Sequence, residues 1–545
     1  MKRFLLTTLG ACLFGIGATW ACTNFIVGKD ASADGSTIIS YAADSYSLYG
    51  FLHFSPAADY PKGAMREVKD WDSGRPLGQI PQVEHTYSVV GNMNEHQLTI
   101  GETTWGGRKE LWDTVGIDYG SLIYIALERC KTAREAIECI TSLVDEYGYA
   151  SEGETFSIGD PNEVWIMDMI GKGAGQKGAV WVATRVPDDC ICAHANQARI
   201  THINFKDKKN WLYSKDVVKF AREKGYFQGK DADFSFQAAY APFDFSGLYV
   251  CEARVWSFFR HFSDDMEQYF DYATGKTFLA TSGKDAGTPM PLYIRPNHKV
   301  SVQEIKDCMR DQYEGTPLDI TQGTDAGPWN TKLRYGSLTF KLDSTAYWYE
   351  RPTATQQTAW SFVAQMRGYA DPKVGGIFWF GVDDAATNVY VPMYCRINHI
   401  PECFAEGNGD LYTYSPTSAW WTFNIVANWA YTKYSRMKPD IVQVQKALED
   451  KFNTQIEGVD AQAAAMSDEE ARRFLTNYSC AQADNVMIEW QKLGIYLITK
   501  YLDGQERKEE NGQFKRNAYG EPTGPNRPAF PENYLRTFKN EIAHE

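Results

Sequence analysis

The chain has 545 residues, 43% of them hydrophobic and 14% aromatic, which is enough for one large core or two to three ordinary ones and excludes a disordered chain. Its formal net charge of −14 argues against nucleic acid or an anionic membrane surface as a partner and is compatible with small-molecule substrates.

Lys2 and Arg3 open the chain, and Phe4 to Trp20 is apolar but interrupted by Gly10, Gly15 and Gly17. A stable membrane span needs about 20 consecutive apolar residues, so this run reads as a secretory leader. Thr19-Trp20-Ala21 supplies the small residue that signal peptidase needs at its cleavage point. The expectation is a signal peptide over residues 1–21 and an exported chain, periplasmic or secreted, that begins at Cys22. Loss of Lys2 and Arg3 takes the net charge from −14 to −16. No later stretch matches that length of apolarity, so no integral membrane span is expected. Leu9-Gly10-Ala11-Cys12 has the shape of a lipoprotein cleavage box. The alternative it offers is a lipid-anchored binding protein processed at Cys12 or Cys22, and lipidation of Cys22 would consume its sulfur.

A cysteine at the front of a chain carries a nucleophile and a base on one residue. A thiol has a pKa near ~8.5 and a free α-amine near ~8, so a modest change of environment activates the pair at neutral pH. A terminal amine can take the proton of the nucleophile beside it. Eleven cysteines occur in all, Cys12 among them in the leader. The ten that remain are an even number, and a free Cys22 leaves at least one other thiol unpaired, so the chain is not a disulfide scaffold.

Residues 22–45 read as a hairpin with its turn at Asp34-Gly35. Strands are expected over 87–91 and 98–102. Helices follow over 122–129 and 132–147, the second opened by Thr132 with Glu135 at the capping-box position. Further strands are expected over 156–160, 164–168, 181–185 and 191–195, which together suggest layered α/β sheets. Helices are expected over 214–224 with Ser214 as cap, over 254–262, and over 302–311 with Ser301 as cap. Two more strands fall at 375–379 and 388–392. After Tyr414 the pattern turns to long helices, over 417–437, 441–452 and 468–502, and residues 505–530 read as a solvated loop or arm. No solenoid-period repeat and no low-complexity segment occurs.

Asp44 ends the strand returning from Cys22; its carboxylate suits holding an ammonium or orienting the nucleophile, and equally suits a plain strand end. Cys190, Cys192, His194 and Asn196 share one strand face, a zinc half-site without a second ligand cluster, so no metal is expected. Asn196 has an amide that can donate to a developing oxyanion, or it can simply sit in a turn. Arg254 stands among Val255, Trp256, Phe258 and Phe259, where it can stack or clamp a carboxylate. Arg310 to Pro317 is a compact polar stretch open to a capping or a pocket role. No Ser/His/Asp pattern, HExxH or phosphate-binding glycine loop occurs, and Gly171 to Gly178 lacks the spacing for one.

Ala21-Cys22-Thr23, Lys29 to Thr37, Asp44-Ser45, Asn94-Glu95, Val186-Pro187-Asp188-Asp189, Ala195 to Ile200, Arg254-Val255-Trp256, Tyr313-Glu314-Gly315-Thr316 and Val374 to Trp379 occur in one order over nearly the whole mature chain. In that order they resemble the cysteine N-terminal-nucleophile dipeptidases of the dipeptidase A family. The resemblance implies an α/β fold, a four-layer αββα N-terminal-nucleophile hydrolase sandwich over residues 22–414. A helical extension over 415–504 and a loop or arm over 505–545 complete it. It implies no cofactor, and dipeptides hydrolysed through a thioester acyl-enzyme. Carried over by position, Cys22 is nucleophile and, through its amine, base; Asp44 orients it, Asn196 is an oxyanion donor, and Arg254 is a supporting cation. One position departs: three residues before the aspartate, related bile-salt and penicillin acylases and many dipeptidases carry arginine, and this chain has Tyr41. That arginine's role is absent or falls to another residue, with Arg254 a candidate. The second oxyanion donor is open, the corresponding region reading Glu102-Thr103-Thr104-Trp105. Within the same fold the alternatives are an acylase for conjugated bile acids or penicillin-type amides, and an inactive relative. The long C-terminal helices favour the dipeptidase branch. A homo-oligomer is compatible with all of this.

Overall fold

A computed structural model describes residues 22–532 and 534–536. The expected signal peptide over 1–21, both cleavage boxes, and the end of the 505–545 arm lie outside the described residues.

Two antiparallel sheets dominate. The first has seven strands in the order Tyr293–Ile294, Ile191–His194, Thr23–Val27, Thr37–Asp44, Thr358–Met366, Gly376–Val382 and Val391–Tyr394. The second has eight, in the order Trp211–Tyr213, Ala179–Arg185, Val164–Gly171, Gly153–Gly159, Thr99–Trp105, Met93–Asn94, Val89–Val90 and Phe54–Ser55. The expected hairpin over 22–45 is the centre of the first sheet, and Gly35 at its turn takes the φ of 81° that favours glycine.

The second sheet has two apolar faces. Ile100, Phe156, Ile158, Trp165 and Met167 pack with helices Tyr119–Arg129 and Ala133–Tyr147, while Ile166, Val180 and Val182 join the core of the first sheet. His194 ties the sheets together across that core. Its Nδ1 lies 2.7 Å from Thr103 Oγ1 and its Nε2 2.6 Å from Ser157 Oγ. Burial holds the imidazole well below its usual pKa, so the bridge is neutral. On the far side of the first sheet lie helices Ala253–Arg260 and Val302–Cys308, with Phe258 stacked on Phe25 at 4.0 Å between ring centroids.

Thr132 closes the capping box its spacing predicts, and Ser301, expected as a cap, closes a box with Glu304. Ser214 does not cap: the helix starts at Val217, and Ser214 Oγ instead accepts the Trp181 N–H beside the strand Trp211–Tyr213. The strand Thr358–Met366 has no counterpart in the sequence reading. All nine of its residues are buried, so its sequence shows none of the polar–apolar alternation that marks a half-exposed strand. The C-terminal helices divide differently from expectation, into Ala419–Thr432, Tyr434–Ala464 and Asp468–Tyr501. The break falls at Lys433 (φ −153°, ψ 55°) and not at Pro439, which lies inside the second helix. The Lys433 ammonium sits 4.8 Å from the Trp329 ring and donates to Gly504 O, which fixes the non-helical backbone there. Among the described residues no helix is long and apolar enough to cross a membrane.

Candidate active site

Sheet pairing explains why three distant residues meet. Cys22 stands just before the strand Thr23–Val27. That strand runs antiparallel to both of its neighbours, with Thr23 opposite Ala42 and Asn24 opposite His194. The C-terminal ends of those neighbours therefore arrive beside Cys22, bringing Asp44 on one side and Asn196 on the other. Gly101 of the second sheet has no side chain where a Cβ would lie 2.3 Å from Asn24 Oδ1, which lets the first sheet close over it.

Arg254, at the start of its helix, joins these parts. Nη1 donates to Cys22 O (2.7 Å) and Thr23 Oγ1 (2.9 Å), and Nη2 donates to Ala195 O (3.1 Å) and Asn196 Oδ1 (2.9 Å). It is fully buried, and burial followed by the charge of Arg351 pulls its pKa below the usual arginine range. Asn196 has a left-handed backbone (φ 60°) and donates one Nδ2 proton to Thr104 O at 2.7 Å, which leaves its second amide proton for another acceptor.

The pairing of Thr23 with Ala42 brings the main chain of Asp44 alongside Cys22, where it works against the rise in the thiol's pKa. Its carboxylate is held elsewhere: Oδ2 accepts from Arg351 Nη2 and Oδ1 from Thr358 Oγ1, each at 2.6 Å. The cation paired with Asp44 is thus Arg351, a residue the sequence reading did not single out. Tyr313, with φ 63°, supports Arg351 by donating its hydroxyl to the Arg351 carbonyl at 2.8 Å. The polar stretch from Arg310 to Pro317 accordingly acts from behind the site.

Tyr41 places its hydroxyl 3.5 Å from Cys22 Sγ and donates it to Glu102 Oε1 at 2.6 Å. Glu102 and Glu154 were not foreseen as a pair. They come together because Thr104 lies opposite Glu154 and Glu102 opposite Phe156 in adjacent strands. Burial raises both carboxyls, and Glu154 is raised further by the charge of Glu102. Burial, then the charges of Glu102 and Asp44, pushes the Cys22 thiol well above the usual range. Nearby, Tyr119 donates to Asp72 at 2.9 Å, and burial lifts Asp72 to about 7. A small cavity lined by Phe51, His53, Tyr124 and Trp360 among others adjoins Tyr41 through Trp360, whose ring centroid is 6.5 Å away.

The cysteines and histidine of the Cys-x-Cys-x-His segment are separately committed. Cys192 Sγ donates to Leu292 O, Cys190 Sγ to Asp189, and both His194 nitrogens face hydroxyls of the other sheet. Among the described residues no group of His, Cys, Asp and Glu converges as a metal site. All ten described cysteines are free thiols.

Residues 21–447, more than three quarters of the chain, match the profile of Peptidase family C69. A "Probable dipeptidase" of Latilactobacillus sakei is 24% identical over 490 residues, spanning 85% of this chain and 93% of its own. A "Probable dipeptidase" of Salmonella dublin is 24% identical over 425 residues, spanning 73% of this chain and 86% of its own. "Dipeptidase A" of Lactobacillus helveticus is 24% identical over 407 residues, spanning 70% and 77% respectively.

Proposed function

The chain belongs to peptidase family C69, and on that premise we propose that it is a dipeptidase whose nucleophile is the sulfur of Cys22. The observation that carries the reading is the single guanidinium of Arg254 bonded to both the Cys22 carbonyl and the Asn196 amide oxygen. It fixes the nucleophile's backbone against a side chain that has an uncommitted amide proton.

In this reading export removes residues 1–21 and converts the Cys22 nitrogen into a free amine. The amine takes the thiol proton as sulfur attacks the carbonyl carbon of the dipeptide's first residue. The carbonyl electrons move onto oxygen, and Asn196 Nδ2 donates to that oxyanion, an interaction whose loss costs about 3 kcal/mol in comparable sites. The amine then gives its proton to the departing amino group, the C–N bond breaks, and a thioester remains on Cys22. Water, deprotonated by the same amine, releases the amino acid and restores the thiol. Arg351 and Thr358 keep the Asp44 carboxylate in place beside Cys22.

The αββα sandwich of N-terminal-nucleophile hydrolases belongs to the same proposal. Two facing sheets with helices outside both, and a nucleophile at the tip of a central strand, support it. Residues 22–414 would form that unit and 415–504 its helical extension, in a protein acting in the periplasm or outside the cell.

The test is expression of the full chain, determination of the mature terminus by mass spectrometry, and assay of Cys22→Ala on a dipeptide panel. The expected result is a chain starting at Cys22 and at least a thousandfold loss of turnover in the variant, in line with the loss of a nucleophile. Undiminished turnover in Cys22→Ala would end the reading.

A further inference from the structure

The Glu102–Glu154 pair presents a chemical problem that the hydrolytic mechanism leaves unanswered. Glu102 is 3% exposed and Glu154 0%. One oxygen of each is satisfied, Glu102 Oε1 by the Tyr41 hydroxyl and Glu154 Oε2 by Thr104 Oγ1 at 2.9 Å. The other two, Glu102 Oε2 and Glu154 Oε1, have no donor among the described residues. Two buried acceptors facing one another are costly unless a proton or a cation lies between them. They also lie near the reacting atom: the Tyr41 hydroxyl that donates to Glu102 Oε1 is 3.5 Å from the Cys22 sulfur.

A dipeptide brings a cation to this place. Its α-ammonium nitrogen is two bonds from the carbonyl carbon that the sulfur attacks, a separation of about 2.5 Å. A group that reads the ammonium must therefore lie close to the thiol, and Glu102 is linked to it through the Tyr41 hydroxyl.

We propose that Glu102 and Glu154, braced by Tyr41 and Thr104, bind the α-ammonium group of the substrate's first residue and so select free dipeptides over N-acylated amides. This rests on Cys22 being the nucleophile. On binding, two N–H donors of the ammonium satisfy the orphaned oxygens, and a proton held between them in the free protein passes to solvent. An N-acyl substrate offers one uncharged N–H and leaves at least one carboxylate oxygen buried without a donor.

The experiment compares the fastest free dipeptide with its N-acetyl derivative, using the mature protein and the variants Glu102→Gln and Glu154→Gln. The unaltered protein should favour the free dipeptide. In the variants its KM should rise roughly tenfold or more, and the preference over the acetylated form should shrink correspondingly. Independently of turnover, iodoacetamide should alkylate Cys22 several-fold faster at pH 7 in Glu102→Gln, because a negative neighbour of the thiol is gone. Equal turnover of free and acetylated substrate by the unaltered protein would overturn the assignment and needs no variant. An unchanged preference in either folded variant would overturn it too. These outcomes differ from failure of the nucleophile reading, in which Cys22→Ala itself remains active.

Discussion

At the scale of single residues, the site depends on charges that burial makes unforgiving. Asp44 and Arg351 are 0% and 5% exposed at the side chain and lie 2.6 Å apart. Removing one partner strands the other, which typically costs about 3–5 kcal/mol, whereas removing both charges costs far less. Arg351→Met should therefore destabilise the protein by that amount, and the double variant Arg351→Met with Asp44→Asn should recover much of it, as urea unfolding midpoints would show. Additive losses would mean that the pair is not coupled. Cys22, Asp44, Asn196 and Arg254 could be found in the sequence because each sits in a short recognisable stretch next to a strand or helix end. Arg351 could not, because its partner is 307 positions away and Trp348 to Pro352 shows no pattern of its own. Glu154 was equally hidden: only the strand register sets it beside Glu102.

At the scale of elements, end signals were more readable than interiors. Thr132 and Ser301 announced their helices because a capping box is local chemistry. Thr358–Met366 stayed silent because burial on both faces erases alternation. The junction between strand Gly376–Val382 and helix Ala419–Thr432 adds a pH dependence. Asp383 follows the strand in a left-handed conformation (φ 62°), accepts from Asn424 Nδ2 at 2.9 Å, and has its Oδ2 buried without a donor among the described residues. Burial, then the charge of Asp384, raises it to about 7. The folded state thus holds a proton that the unfolded chain releases near pH ~4, so this group's contribution to stability is full below that pH and is lost as pH rises through about 7. Asp383→Asn keeps the acceptor for Asn424 and removes the titration. Its melting temperature relative to the unaltered protein should be higher at pH 8 than at pH 5; an equal offset at both would contradict the argument.

At the scale of the molecule, antiparallel pairing at the centre of one sheet does most of the assembly. It delivers Asp44 and Asn196 to Cys22 from opposite sides, and Arg254 ties the carbonyl of Cys22 to Asn196. The C-terminal helices pack against the outer strand Val391–Tyr394, and the family match ends inside the second of them, at residue 447. Everything proposed for the chemistry turns on whether the nitrogen of Cys22 is an amine or a peptide. Two chains should be prepared, one beginning at Cys22 and one retaining Ala21, and their dipeptide turnover compared under identical conditions. The account predicts hydrolysis by the first and essentially none by the second, whose nitrogen can neither accept nor return a proton; equal turnover by both would contradict it.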